Sequence, residues 1–400
     1  MNKKEKNSIG IVTYNAPGKT GVGTTAWNHA KMLAAENHSV YFITPDNILI
    51  NEEKNIKQLK IATHPTLRSL YWSCSQRITL LNNKSIQAND IDLLKFANAT
   101  KNNLTKIVKQ YNIKTIMFTE SFLEGSLWQP PLNCKILLRF ACPRYLFNEI
   151  GLSKQPINKY LKNIEKNMLK KASYLYAPTN KMASLSADYF NIPLNSIKVI
   201  PNPIDTSLFN PNKSIPKKTA KICFAGRYTK EKGAEIINSI IPDLMQHFPQ
   251  ITFSVAGNSG IDKNGNSYIK LLEKKLIENQ TIDRFKHFNF IPNTEMPDFY
   301  RRHNILLYPS LFDNFSMVIA EAQSCGLAVI SSDAGGIPEV VKNNKTGYTI
   351  PVGDLKKTKN LLQKLIEDQE LCCKIGINAA KHQFALSAFK NVYTHFIDIL

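Results

Sequence analysis

Apolar runs and helical stripes alternate along most of the chain. SIGIVTYN, from residue 8, is an apolar, β-branched run that predicts a strand. AWNHAKMLAAE follows with apolar residues at helical spacing (Trp27, Ala30, Met32, Leu33), and SVYFIT is the next strand. The stretch between, APGKTGVGTT, reads as a glycine-rich turn. A strand, helix and strand in this order predict a parallel, doubly wound sheet. Residues 50 to 110 are polar-rich, with a helical patch at IDLLKFANATKNNLTKIVKQY. Strand signals return at KTIMFTE (114–120), KILLRFA (135–141) and YLYAPT. Residues 198–220 are rich in Pro, Asn and Lys and read as a linker. A second series then begins with KICFAGRY and alternates strand and helix to NILLYPS, and the chain is helical from about Leu355.

Two αβ series of the same kind predict two facing Rossmann-like domains with a cleft between them. The boundaries fall at residues 1–200 and 201–375. A C-terminal helix at 376–400 is expected to pack back on the first domain. A chain of 400 residues fits two domains, and 43% hydrophobic content supplies both cores.

Charge adds a constraint. The net charge is +20, which fits an anionic partner or surface, or simply a solvated basic exterior. Residues 157–173 form a basic amphipathic helix, with Ile157, Leu161, Ile164 and Met168 on one stripe and Lys159, Lys162, Lys166 and Lys170 on another. That pattern suits a surface helix on a core, or an element lying on an anionic membrane. The basic residues are dispersed and form no recognised nucleic-acid motif, so no nucleic-acid partner is expected. The seven cysteines include no C-x-x-C pair and several lie in apolar runs, as small hydrophobes in a reducing compartment do. No apolar run is long enough for a transmembrane helix and none reads as a signal peptide. The expected location is cytoplasmic, with any membrane contact peripheral, at the inner face.

The densest chemistry lies between Asp313 and Glu339, DNFSMVIAEAQSCGLAVISSDAGGIPE. Asp313 and Glu321 flank seven residues (314–320). An aromatic-Ser turn opens an apolar helix, Met317 to Cys325, that Gly326 stops. LAVIS is a buried strand, and Gly335-Gly336-Ile337-Pro338-Glu339 opens another helix. Helix N-termini after strand ends offer free N–H groups and positive dipole charge, as a phosphate requires. Acids beside a phosphate suit hydroxyl groups, so a nucleotide or sugar nucleotide is the expected ligand. Arg227 and Lys232, in GRYTKEKG after a strand, can neutralise a diphosphate or make surface ion pairs. Gly21 and Gly23 either admit a ligand to the backbone or serve a tight turn.

These motifs, in this order, resemble the retaining glycosyltransferases of family 4, which have the GT-B fold. Gly21-Val22-Gly23 follows the first strand, and Pro201-Asn202-Pro203-Ile204-Asp205 stands in the place of the family's IPNGID. Gly226-Arg227 with Lys232-Gly233 looks like its GR…KG, and Tyr308-Pro309-Ser310 precedes the acidic pair. Asp313-Asn314-Phe315-Ser316 through Glu321-Ala322 looks like E-G-F-G…E-A, and Gly335 to Glu339 and Gly347 complete the set. The resemblance implies a metal-independent retaining transferase that moves a sugar from a nucleotide-diphospho-sugar to a hydroxyl of a glycan or lipid-linked acceptor. It implies no cofactor, since the nucleotide sugar is a substrate, and no metal. Arg227, Lys232 and Asp313 would be the catalytic set. Gly21, Gly23, Arg227, Lys232, Ile291, Phe315, Ser316, Met317 and Glu321 would bind the donor, with Glu321 on the ribose and residues 290–293 near the base. Two departures stand out. Asp313 replaces the family's usual Glu, and no histidine occurs near Ala141, where the family often has one. They motivate the alternative of a non-catalytic GT-B module that binds or chaperones a partner transferase.

Overall fold

The computed structural model describes residues 7–15, 17–18, 20–45, 52–62, 88–120, 123–153, 157–211 and 219–400, with the side chains of 88–90 excluded. The chain forms two compact units, Met1–Ile200 with Tyr393–Leu400, and Pro201–Val392.

Unit 1 contains β1 (Ser8–Val12), α1 (Gly21–Ala35), β2 (Ser39–Pro45), β3 (Ile56–Ile61), α2 (Ala88–Gln110), β4 (Thr115–Thr119) and β5 (Lys135–Arg139). It continues with α3 (Lys159–Leu169), β6 (Tyr174–Ala177), α4 (Asn180–Phe190) and β7 (Ile197–Val199). The sheet is parallel, in the order β3-β2-β1-β4-β5-β6-β7. Its central strands are buried along their length, which is why β4 reads TIMFT without polar alternation. The order reverses between β1 and β4. In such sheets a ligand crevice lies beyond the C-terminal strand ends at that point.

Unit 2 repeats the plan. It contains β8 (Lys221–Ala225), α5 (Ala234–His247), β9 (Thr252–Ala256), α6 (Tyr268–Glu278), β10 (Phe285–Phe288), α7 (Met296–Arg301) and β11 (Ile305–Tyr308). After these come α8 (Met317–Ser324), β12 (Ala328–Ser332), β13 (Gly347–Ile350), α9 (Leu355–Glu367), α10 (Gln369–Ser387) and α11 (Phe389–Phe396), whose residues from Tyr393 belong to unit 1. Its parallel sheet runs β10-β9-β8-β11-β12-β13 and reverses between β8 and β11.

Three differences from the sequence reading have local causes. Helix α1 starts at Gly21, not at residue 26, because the Thr20 side chain caps it by accepting the Gly23 N–H at 3.0 Å. Gly21 and Gly23 therefore lie in a helical first turn. The expected linker is partly built in: β7 takes its start, Ile204 and Phe209 are buried in the unit 2 core, and the Ile204 N–H donates to the Ser387 carbonyl at 2.8 Å. Its residues 212–218 lie outside the described set. The chain returns to unit 1 at Tyr393 rather than at 376, because α10 packs on α8 and β12 within unit 2.

The basic helix expected at 157–173 is α3. Leu161, Ile164 and Met168 are buried, so these three pack inward and leave the lysines outside, whereas Ile157 precedes the helix and is exposed. Among the described residues no helix is long and apolar enough to cross a membrane. The six described cysteines form no disulfide.

Candidate functional site

In unit 2 the reversal point lies between the loops after β8 and β11. The first carries Arg227 and Lys232, the second runs from Pro309 to Asp313. Glycine lets them meet. Gly233 has φ +89°, and a Cβ there would run into the Pro309 carbonyl. The Leu311 N–H donates to the Glu231 carbonyl at 2.8 Å, and the Ser310 hydroxyl donates to the same carbonyl at 3.1 Å. Gly335, at φ +61°, is held the same way: a Cβ would strike the Asp313 carbonyl, which accepts the Gly336 N–H at 2.8 Å.

These contacts bring Lys232 to Asp313. The Nζ donates to Oδ2 at 2.9 Å, and the Tyr308 hydroxyl donates to the same oxygen at 3.2 Å. Lys232 Nζ also lies 5.5 Å from the centre of the Tyr308 ring. Burial works to lower the Lys232 ammonium, but the Asp313 charge outweighs it and holds it above the ordinary lysine value. Burial pushes the Tyr308 hydroxyl up to about 12, so it stays a donor at neutral pH. Arg227 is exposed in the same loop as Lys232. Burial raises the Glu231 carboxyl, but its own N–H, the Thr229 hydroxyl, Arg227 and Lys232 outweigh it and leave it below the usual range.

Asp313 leads into α8. The Ser316 hydroxyl accepts the Ile319 N–H at 3.3 Å, and the first ladder bond runs from the Ala320 N–H to the Ser316 carbonyl at 3.0 Å. The amides of Ser316, Met317 and Val318 precede that ladder. Glu321, one turn further, is buried and accepts the Tyr300 hydroxyl at 3.3 Å. Burial and the nearby Glu321 keep the Tyr300 hydroxyl well above its ordinary value. Ile291 packs on the unit 2 core, and two residues on, Asn293 buries an Oδ1 without a hydrogen-bond partner.

Gly21 and Gly23 lie in unit 1. A Cβ at Gly21 would meet nothing within 4 Å, so the fold itself does not require glycine there. Among the described residues no three His, Cys, Asp or Glu side chains gather as a metal site.

Sequence reasoning missed four supports. Tyr308 and Tyr300 hold the two acids. Glu120 and Glu124 lie beyond β4 in unit 1, both buried, and burial raises each to about 7. Glu124 takes the Tyr14 N–H at 2.7 Å and so spans β4 and the loop after β1. The signal was present in FTESFLEG: two carboxylates close after the strand TIMFT, whose centre is apolar.

Residues 206–382 match the model of the glycosyl transferases group 1, and residues 19–208 match that of Glycosyltransferase Family 4. A D-inositol 3-phosphate glycosyltransferase of Corynebacterium jeikeium is 26% identical over 246 residues, 58% of this chain and 58% of the relative, so the match spans little more than half of either. A sucrose-phosphate synthase of Thermosynechococcus elongatus superposes with a TM-score of 0.75 at 18% identity, over 98% of both chains. The Anabaena HepE structure with UDP and glucose gives 0.73 at 17% identity, over 98% of both chains. These two likenesses show the fold, which is GT-B.

Proposed function

From the matches of residues 19–208 to Glycosyltransferase Family 4 and of 206–382 to the glycosyl transferases group 1, we propose that this chain is a family 4 glycosyltransferase that moves a sugar from a nucleotide-diphospho-sugar to an acceptor hydroxyl with retention of configuration. The observation that carries this is the cluster of Lys232, Asp313 and Tyr308 at the unit 2 reversal point, with Arg227 in the same loop as Lys232 and Asp313 leading into α8.

The chemistry needs positive charge where the diphosphate leaves. Arg227 and Lys232 supply it without a metal ion or cofactor. The amides of Phe315, Ser316 and Met317 suit the phosphate. Both bonds to Asp313 fall on Oδ2, so Oδ1 is the oxygen for a donor-sugar hydroxyl. Glu321, steadied by Tyr300, suits the two ribose hydroxyls. Ile291 and Asn293 suit the base, and Gly21 and Gly23 admit a diphosphate close to their backbone. In retention through a front-face route the departing phosphate takes the acceptor proton, so no protein nucleophile is required. The acceptor is a glycan or lipid-linked glycan, met in the cytoplasm at the inner face of an anionic membrane. The exposed lysines beside α3 and exposed Ile157 favour that surface.

A thermal-shift screen of nucleoside diphosphates and their sugars tests the reading. Selective stabilisation by one base and sugar is expected. No shift across the panel, with a stable hetero-complex on pull-down, would instead favour a non-catalytic partner module, which the commitment of Asp313 to Lys232 also suits.

A further inference from the structure

Beyond β5 in unit 1 the loop Ala141-Cys142-Pro143-Arg144-Tyr145 is tied down by its own amides. The Ala141 N–H donates to Glu120 Oε2 at 2.8 Å and the Cys142 N–H to Oε1 at 2.7 Å. Pro143 has no N–H. The Arg144 N–H donates to Glu165 Oε1 at 2.8 Å, and the Tyr145 N–H reaches the Tyr189 hydroxyl. That hydroxyl donates to Glu165 Oε2 at 3.0 Å. Glu120 and Glu165 have no exposed surface. Two buried carboxylates, one just past the end of β4 and one on α3, therefore take three amides of one loop, an arrangement that core packing alone does not require and that costs desolvation.

We propose that Glu120 and Glu165 are positioning residues that fix loop 141–145 as a substrate platform at the C-terminal edge of the unit 1 sheet. The inference rests on the transferase reading. It also selects a ligand class. A loop whose amides are taken by two carboxylates and a tyrosine hydroxyl cannot act as an anion nest. The group it meets is a neutral, hydroxyl-bearing one.

Titration supports this. Burial raises Glu120 to about 7, with Arg139 opposing, and raises Glu165 to about 8, with the Glu120 charge adding to it. Glu120 is faced by Arg139 from β5, Tyr176 from β6 and Glu165 from α3; Glu165 is faced by Arg144, Tyr189 and Glu120. An ionised carboxylate accepts on both oxygens. A protonated one has turned one oxygen into a donor, which conflicts with an incoming N–H.

The test uses the full chain and its Glu120→Gln, Glu165→Gln and Tyr189→Phe variants. Amide exchange is followed at 141–145. Nucleoside diphosphate release is measured from UDP-glucose, UDP-N-acetylglucosamine and GDP-mannose, with octyl glucoside or water as acceptor. Exchange is expected to quicken about tenfold at 141 and 142 in Glu120→Gln, and at 144 in Glu165→Gln. The kcat is expected to fall about tenfold or more while the donor KM stays within about twofold, and the rise of kcat with pH between about 6 and 8 is expected to flatten. Tyr189→Phe keeps both carboxylates and gives a smaller loss in the same direction, which separates the effect from misfolding. Unchanged exchange, or faster exchange with unchanged kcat, overturns the platform alone. A native chain that releases nucleoside diphosphate from none of the three donors overturns the transferase reading and the platform with it.

Discussion

Lys232 Nζ stands 2.9 Å from Asp313 Oδ2, and the two side chains are 23% and 17% exposed. The pair is therefore shielded but reachable. Lys232→Met strips the partner from Asp313 and a cation from the proposed diphosphate site. Nucleotide-sugar turnover is expected to drop about a hundredfold or more, with a stability loss of about 1 to 3 kcal/mol in denaturant titrations. Turnover within threefold of native would remove Lys232 from the catalytic set.

Asp313→Glu restores the residue type the family usually carries and adds one methylene. The longer side chain shifts the carboxylate relative to Lys232 and Tyr308. Donor-sugar selectivity is expected to change, while the affinity for the bare nucleoside diphosphate holds. Competition between two nucleotide sugars that share a base reads this directly.

Glu321→Ala should abolish turnover while the fold stands. Tyr300→Phe removes only the hydroxyl donated to Glu321. A milder effect is expected, about 1 kcal/mol in nucleotide affinity, measured by calorimetric titration. Equal effects of the two substitutions would argue that Glu321 acts through structure rather than contact.

Gly335→Ala places a Cβ against the Asp313 carbonyl at a left-handed φ. A loss of more than about 1 kcal/mol in stability is expected, together with lost turnover, because Asp313 must move. Gly21→Ala serves as the control: a Cβ there meets nothing within 4 Å, so stability is expected to hold and any loss falls on nucleotide-sugar turnover.

The stability of unit 1 should fall as pH rises from about 6.5 to 8. Glu120, Glu124 and Glu165 have folded values near 7, 7 and 8 against an ordinary 4.5. The folded state thus holds protons that the unfolded state has released, and raising the pH through this window favours unfolding. Buried His29, lowered to about 3 from 6.5 by burial and by Arg139, works in the opposite direction and only below about 6.5. The two described tryptophans, Trp27 and Trp128, lie in unit 1 and none falls in the sequence after residue 200, so fluorescence-detected denaturation isolates the effect. Glu124→Gln should flatten part of the slope.

The chain's own patterning determined the two αβ series, the parallel sheets, most strands and the donor-side motifs. That information is local: unbroken apolar runs, helical spacing and cap residues act over a few neighbours. The short strands β3, β7 and β13 escaped, because a lone edge strand or one inside a Pro- and Asn-rich stretch lacks a distinct pattern. Gly335 and Gly233 could be recognised as glycines, but their reason is a backbone that arrives from elsewhere in the chain. Only tertiary structure decided which polar groups meet. Lys232 and Asp313 are 81 residues apart, and Glu120 and Ala141 are 21 apart. Such partners are set by how strands are ordered in a sheet and by the low-dielectric space at their ends, and no sequence window spans that arrangement.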